Sequence, residues 1–111
     1  MDKLNHYRKC LQDLLTRYAS YSKDDPDIET QLIFDTERDH YLMLRTGWDK
    51  KHRVHYCTFH FDIKDGKIWL QQNNTDVEIG EELEEMGIPK HDIVIGFHPP
   101  YLRQHTEYAA S

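Results

Sequence analysis

Cysteine is scarce in this chain. Cys10 and Cys57 are the only two in 111 residues. Two lone thiols build no disulfide framework and fit a reducing compartment. Apolar runs are short as well. The opening MDKLNHYRKC has none of the length a secretory leader needs. No segment approaches the roughly 20 apolar residues of a membrane-spanning helix. These absences predict a cytoplasmic protein that does not enter a membrane. Basic residues are missing from one place in particular. Asp76, Glu78, Glu81, Glu82, Glu84 and Glu85 follow one another without a lysine or arginine between them, whereas the remaining 14 acidic residues are balanced by 14 basic ones, so the net charge of −6 sits in one segment. A basic stripe that could neutralise a phosphate backbone is lacking, which argues against direct, salt-sensitive nucleic-acid binding and leaves DNA as an indirect or weak partner. The tightest basic cluster, Lys50, Lys51 and Arg53 around His52, has the character of a solvated hairpin tip, and it is the candidate nucleic-acid contact.

Catalytic signatures are absent too. There is no CxxC or HExxH, no G-x-S-x-G elbow, and Gly80, Gly87 and Gly96 are too scattered for a phosphate loop. His55 and Cys57 share a strand face, but two donors do not make a zinc site. Asp62, Asp65 and Lys67 can be aligned with the carboxylate and D-x-K pattern of a metal-dependent nuclease. Asp65 is better explained as the turn residue that Asp-Gly requires. His60 and Asp62 also share a face, and without a nucleophile beside them they are expected to form a polar contact. The residues therefore assign no catalytic group, no metal ligand and no cofactor.

What the chain does have is aromatics and clear periodicity. Seven Tyr, four Phe and two Trp exclude disorder, and the length suits one domain with a single two-layer core. Leu4, Tyr7, Leu11, Leu14, Leu15 and Tyr18 recur at helical spacing, predicting an amphipathic helix over residues 2–20. Asp24, Asp25 and Pro26 should end it and start a connector. Residues 28–72 predict four antiparallel strands with turns at 36–39, 49–52 and Asp65-Gly66, the last a strong type I′ signal. Counting outward from those turns pairs Thr46 with His55, Leu44 with Cys57, Ile63 with Ile68 and Phe61 with Leu70. Strict alternation then places Ile33, Leu42, Leu44, Cys57, Phe59, Phe61 and Ile63 on a core face, with His40 on the core side. The other face would carry Leu32, Phe34, Tyr41, Met43, Arg45, Tyr56, Thr58, His60, Asp62, Trp69 and Gln71. That mixture has the composition of an interface, so Phe34, Tyr41, Met43, Arg45, Tyr56, His60 and Trp69 are the candidate partner or dimer contacts. Tyr41, Met43, Tyr56 and Trp69 suit a two-fold homodimer.

Thr75 and Glu78 have capping-box spacing, and Gly87 followed by Pro89 is a helix stop. A second helix is expected over 76–86, with Glu78, Glu81, Glu82 and Glu85 on its acidic face. Ile93-Val94-Ile95 suggests a short buried strand, and 102–111 a flexible or partner-contacting tail. The fold class is α+β: an antiparallel meander of four or five strands, with both helices mainly on one face.

Three segments carry a family resemblance: IETQLIFDTERDHYLMLRTGWD at 28–49, HFDIKDGKIWLQ at 60–71 and GIPKHDIVIGFHPP at 87–100. Within them DTERDH, DGKIW and GFHPP are the characteristic stretches. The chain resembles the XisI family of fdxN element excision controlling factors over nearly its whole length. That resemblance implies a non-catalytic accessory protein in programmed DNA excision that binds an XisH-like, endonuclease-related partner. It carries no catalytic residue over. Two other readings stand beside it on residues alone. One is a DNA-binding recombination factor that uses Lys50, Lys51 and Arg53. The other is a small metal-dependent hydrolase that uses Asp65.

Overall fold

The computed structural model describes residues 2–22 and 25–111. Helix α1, Lys3–Ser20, begins at Asp2, whose carboxylate accepts the Leu4 amide at 3.0 Å. That bond satisfies one of the orphan donors of the first turn. Its buried stripe is Tyr7, Cys10, Leu11, Leu14 and Leu15. Asp24, expected to help end the helix, lies outside the described residues. Four strands follow as an antiparallel meander: β1 Ile28–Asp35, β2 His40–Asp49, β3 His52–Lys64 and β4 Lys67–Asn73. After α2, Ile79–Glu85, a short 3-10 turn leads to β5, Ile93–Ile95, which pairs parallel with β4. A last helical turn, α3, spans Pro100–Arg103.

The turns behave as their residues require. Asp65 and Gly66 both have positive φ, +53° and +77°, as a type I′ hairpin demands. The pairs Ile33–Leu42, Thr46–His55, Leu44–Cys57, Ile63–Ile68 and Phe61–Leu70 all occur. Two irregularities lie between those turns. On β3 one extra residue, Thr58, intervenes between the pairs Leu44–Cys57 and Met43–Phe59. On β4 one extra residue, Gln71, separates the pairs Phe61–Leu70 and His60–Gln72. Each is a β-bulge, and a bulge shifts by one residue which side chains point to a given face.

The expected face map is corrected accordingly. The helix-facing side carries Leu32 with Met43 and Phe59, Phe34 with Tyr41, Phe61 and Leu70, and Ile63 with Ile68 and Ile93. Tyr41, Met43, Phe59 and Phe61 are buried, and Leu32 and Phe34 lean on the same cluster. Each such large side chain fully removed from water contributes about 1.5–3 kcal/mol. Ile33, Leu42, Leu44 and Cys57 belong to the opposite face. Thr58 marks the point where the regular count fails. The carbonyl of Thr58 accepts the Asn74 amide at 2.9 Å, and that of Cys57 accepts the Asn74 side chain at 3.0 Å, so the bulge is pinned from the end of β4.

Both helices lie over one face. Ile79, Leu83 and Ile88 share the core cluster with α1 and the sheet. Tyr18 Oη donates to Glu82 at 2.5 Å, and Cys10 Sγ lies 3.9 Å from the Met86 carbonyl. Helix α2 is shorter than the acidic stretch. Thr75 Oγ1 donates to Asn73 Oδ1 at 2.6 Å and accepts the Val77 amide at 3.1 Å, so it closes a turn before the helix and Glu78 takes the cap position. Arg8 clamps α1 to the first sheet turn by a two-pronged contact with Asp39, at 2.8 and 3.2 Å. The C-terminal segment docks back on its own chain. Ala109 bridges to Val94, Tyr108 packs on the core, and Lys67 donates to the Ser111 carbonyl at 2.5 Å.

Candidate functional site

The face of the sheet turned away from the helices is the candidate site. Register places Ile33, Leu42 and His60 side by side there, then Gln31, Leu44 and Cys57, then His40, Asp62 and Trp69. Ile33 is 43% exposed, and Leu42, Leu44 and Cys57 are half-buried. The first two rows make an aliphatic strip. The third makes a polar cluster at its border. Both stand on hydrogen-bonded strands, which hold side chains more rigidly than loops do.

Asp62 is the centre of the polar cluster. It is 8% exposed. Its Oδ1 faces His40 Nδ1 at 2.6 Å and His60 Nε2 at 2.9 Å, and its Oδ2 accepts from Gln71 Nε2 at 3.2 Å. Burial pushes its pKa up, but the hydrogen bonds from the two imidazoles and the glutamine outweigh that and hold it below the ordinary carboxylate value. Among the described residues, His40, His60 and Asp62 form the group in which three donor atoms of the metal-ligating kind lie within 4.8 Å of one another. Beside them the Trp69 ring is flanked by Lys64 Nζ, 4.3 Å from its centroid, and by the Arg103 guanidinium at 5.2 Å. The sheet scaffold thus supplies an anion with two imidazole neighbours on the face opposite α1 and α2, where α3 reaches only Trp69 through Arg103.

The expected contact residues separate in space. His60 and Trp69 lie on the open face. Tyr41 and Met43 are core residues with 0% and 4% exposure and are unavailable to a partner, and Phe34, half-buried, packs on the core. Arg45 and Tyr56 pair at the far end of the helix-facing side, where Arg45 also donates to Thr30 Oγ1. The four residues expected to form a homodimer patch are therefore not one patch. His40, expected on the core side, is instead the cross-strand neighbour of Asp62. Strict alternation missed this meeting. The available signal was the bulky set Phe59, Phe61 and Ile63, which joins Tyr41 and Met43 if β3 slips by one residue.

The acidic helix is partly neutralised. Glu82 accepts from Tyr18 and lies 3.6 Å from Arg17, while Glu84 lies 3.8 Å from Lys90. Glu78, Glu81 and Glu85 remain exposed. Lys50, Lys51 and Arg53 are exposed at the β2–β3 turn, with Arg53 stacked 5.4 Å over Trp48. His55 and Cys57 are on the open side rather than in the core, three and two rows from Asp62. A cavity of about 530 Å³ lies between the start of α2, β5 and the C-terminal segment, lined by Val77, Ile79, Gly80, Phe97, His98 and Tyr108. No helix among the described residues is long and apolar enough to cross a membrane.

Comparison with known proteins agrees over the full fold. The family described as XisI protein matches residues 1–110. A XisI-like protein from Anabaena variabilis ATCC 29413 is 50% identical, with a TM-score of 0.94 over 99% of this chain and 100% of that one. The fdxN element excision controlling factor XisI from the same organism is 41% identical, with a TM-score of 0.88 over 99% of this chain and 100% of that one. No curated protein matches.

Proposed function

The chain belongs to the XisI family, and from that premise we propose that it is a controlling factor in excision of a DNA element. It acts without catalysis of its own, by binding an XisH-like, endonuclease-related partner. The observation that carries this reading is the aliphatic strip of Ile33, Leu42, Leu44 and Cys57 on the sheet face opposite both helices. A contiguous apolar strip on a folded sheet favours an occupant that removes it from water. The polar border of His40, His60, Asp62 and Trp69 supplies orientation, as the rim of a protein interface does. Charge supports a protein partner over DNA. The exposed carboxylates of Glu78, Glu81 and Glu85 repel a phosphate backbone and suit a basic protein surface. Lys50, Lys51 and Arg53 form too small a cluster to neutralise more than a few phosphates.

The test is light scattering behind size exclusion, on the protein alone and mixed with its XisH-like partner at near-physiological salt. A stable hetero-complex is expected, and Leu44→Arg should dissolve it while leaving the circular dichroism unchanged. A triple Lys50→Ala, Lys51→Ala, Arg53→Ala variant should still form it. Two folded proteins that stay apart at micromolar concentration would overturn the partner-binding mechanism.

A further inference from the structure

The Asp62 cluster has a property that a docking surface alone does not explain. A nearly buried carboxylate is costly unless an opposite charge or several donors compensate it. Asp92, the other buried acid, has a permanent cation, with Lys3 Nζ at 3.0 Å. The ion-pair partners of Asp62 among the described residues are only His40 and His60. Both rings aim one nitrogen at the same oxygen. Their planes are inclined by 73° with centroids 6.4 Å apart.

We propose that His40, His60 and Asp62 form a binding site for a first-row divalent transition cation such as Zn²⁺. The proposal stands independently of the partner-binding reading. Two imidazole nitrogens and one carboxylate oxygen suit Zn²⁺, Co²⁺, Ni²⁺ or Fe²⁺ better than Mg²⁺ or Ca²⁺, which prefer all-oxygen shells. Metal–ligand bonds of about 2.0–2.1 Å in a tetrahedron set neighbouring donors roughly 3.3 Å apart. The present separations of 2.6 and 2.9 Å need to open by about 0.7 and 0.4 Å to reach that spacing. The rings have room for that, because their side chains are 47% and 32% exposed. On binding, the protons that His40 Nδ1 and His60 Nε2 direct at Asp62 are displaced and those nitrogens become ligands; each neutral ring then carries its proton on the far nitrogen, and any excess proton passes to solvent. Gln71 Nε2 on Oδ2 fixes the carboxylate from behind, as outer-shell donors do at metal sites. Three protein ligands on an open face leave the remaining coordination positions to water or to a donor from a docked protein.

The test uses the full chain, calorimetric titration with Zn²⁺, and the visible ligand-field spectrum with Co²⁺. One cation per chain is expected, with a nitrogen-rich spectrum. His40→Gln and His60→Gln should each weaken binding by at least about tenfold. His40 lies on the surface, and a glutamine amide in its place can still donate to Asp62, so the variant should stay folded with at most a small drop in melting temperature. Asp62→Asn should weaken binding likewise, and should that variant fail to fold, His40→Gln decides the matter. Absence of Zn²⁺ binding by the parent chain would overturn the proposal, as would binding that is unchanged in folded His40→Gln.

Discussion

The two faces of the sheet are made from the same strands, yet they meet opposite fates. Tyr41, Met43, Phe59 and Phe61 lie under α1, with exposures of 0%, 4%, 1% and 0%. Their immediate neighbours in sequence, His40, Leu42, His60 and Asp62, with Cys57 just across the bulge, form the opposite side. Both faces contain apolar residues, so hydrophobicity alone does not distinguish them. What distinguishes them is which rows the bulge at Thr58 brings together. It places the large aromatics in one contiguous layer and leaves the other face an aliphatic strip with a polar border.

The two buried carboxylates repeat the contrast. Asp92 serves the core side. It accepts from Tyr7, pairs with Lys3 and joins the start of α1 to β5. Asp62 serves the open side, with imidazole neighbours that solvent and ligands can reach. The first is a structural anchor, and the second is a site.

The largest way to break this comparison is to empty the covered face. Phe61→Ala should cost about 3–5 kcal/mol, read as a lower urea midpoint, whereas a neutral result would show that the helix layer does not rest on this row. Next is the core anchor. Asp92→Asn should cost about 2 kcal/mol at neutral pH through the loss of charge-assisted bonds. Burial raises the Asp92 pKa, but the bonds from Tyr7 and Lys3 hold it below the ordinary value of 3.8. Its contribution is therefore full above about pH 4 and is lost as pH falls through the depressed folded value. Urea titrations from pH 6 downward should show a steeper acid loss in the parent chain than in Asp92→Asn. Parallel curves would assign the acid sensitivity elsewhere.

Smaller effects sharpen the contrast from the open side. Leu44→Ser should change stability by less than about 1 kcal/mol while weakening the proposed complex with an XisH-like partner. A large stability loss would place Leu44 in the chain's own core. The smallest effect is at the bulge. Thr58 is 7% exposed, and its buried hydroxyl has no hydrogen-bond partner. Thr58→Val should be neutral or stabilise by up to about 1 kcal/mol, since it removes an uncompensated polar group with little change of shape. A clear loss in thermal melting would mean that the hydroxyl is satisfied in solution.

Much of the fold was legible because its signals are local. The spacing of Leu4 to Tyr18 made α1, and Asp65-Gly66 made its hairpin. The turns gave correct pairs close to themselves, such as Thr46 with His55 and Ile63 with Ile68. The site was less legible. His60, Asp62 and Trp69 were read onto one face from alternation, and they do share it. Their neighbour His40 was not, because its position depends on β3 counted across the bulge. The docking of the chain's end, expected only as a flexible or partner-contacting tail, was not legible for a similar reason. Nothing local in Tyr108 or Ala109 says that they dock against the core and β5.

The sequence by itself determined the elements, the turn geometry, the concentration of negative charge near α2 and the family. Each depends on residues near one another in the chain, or on a pattern spread along its whole length. Only the tertiary structure decided which apolar row is core and which is surface, and that Asp62 meets two histidines. A single extra residue reverses every side chain beyond it. Where that residue is accommodated is chosen by the packing of the whole layer, through the burial of Tyr41, Met43, Phe59 and Phe61 together.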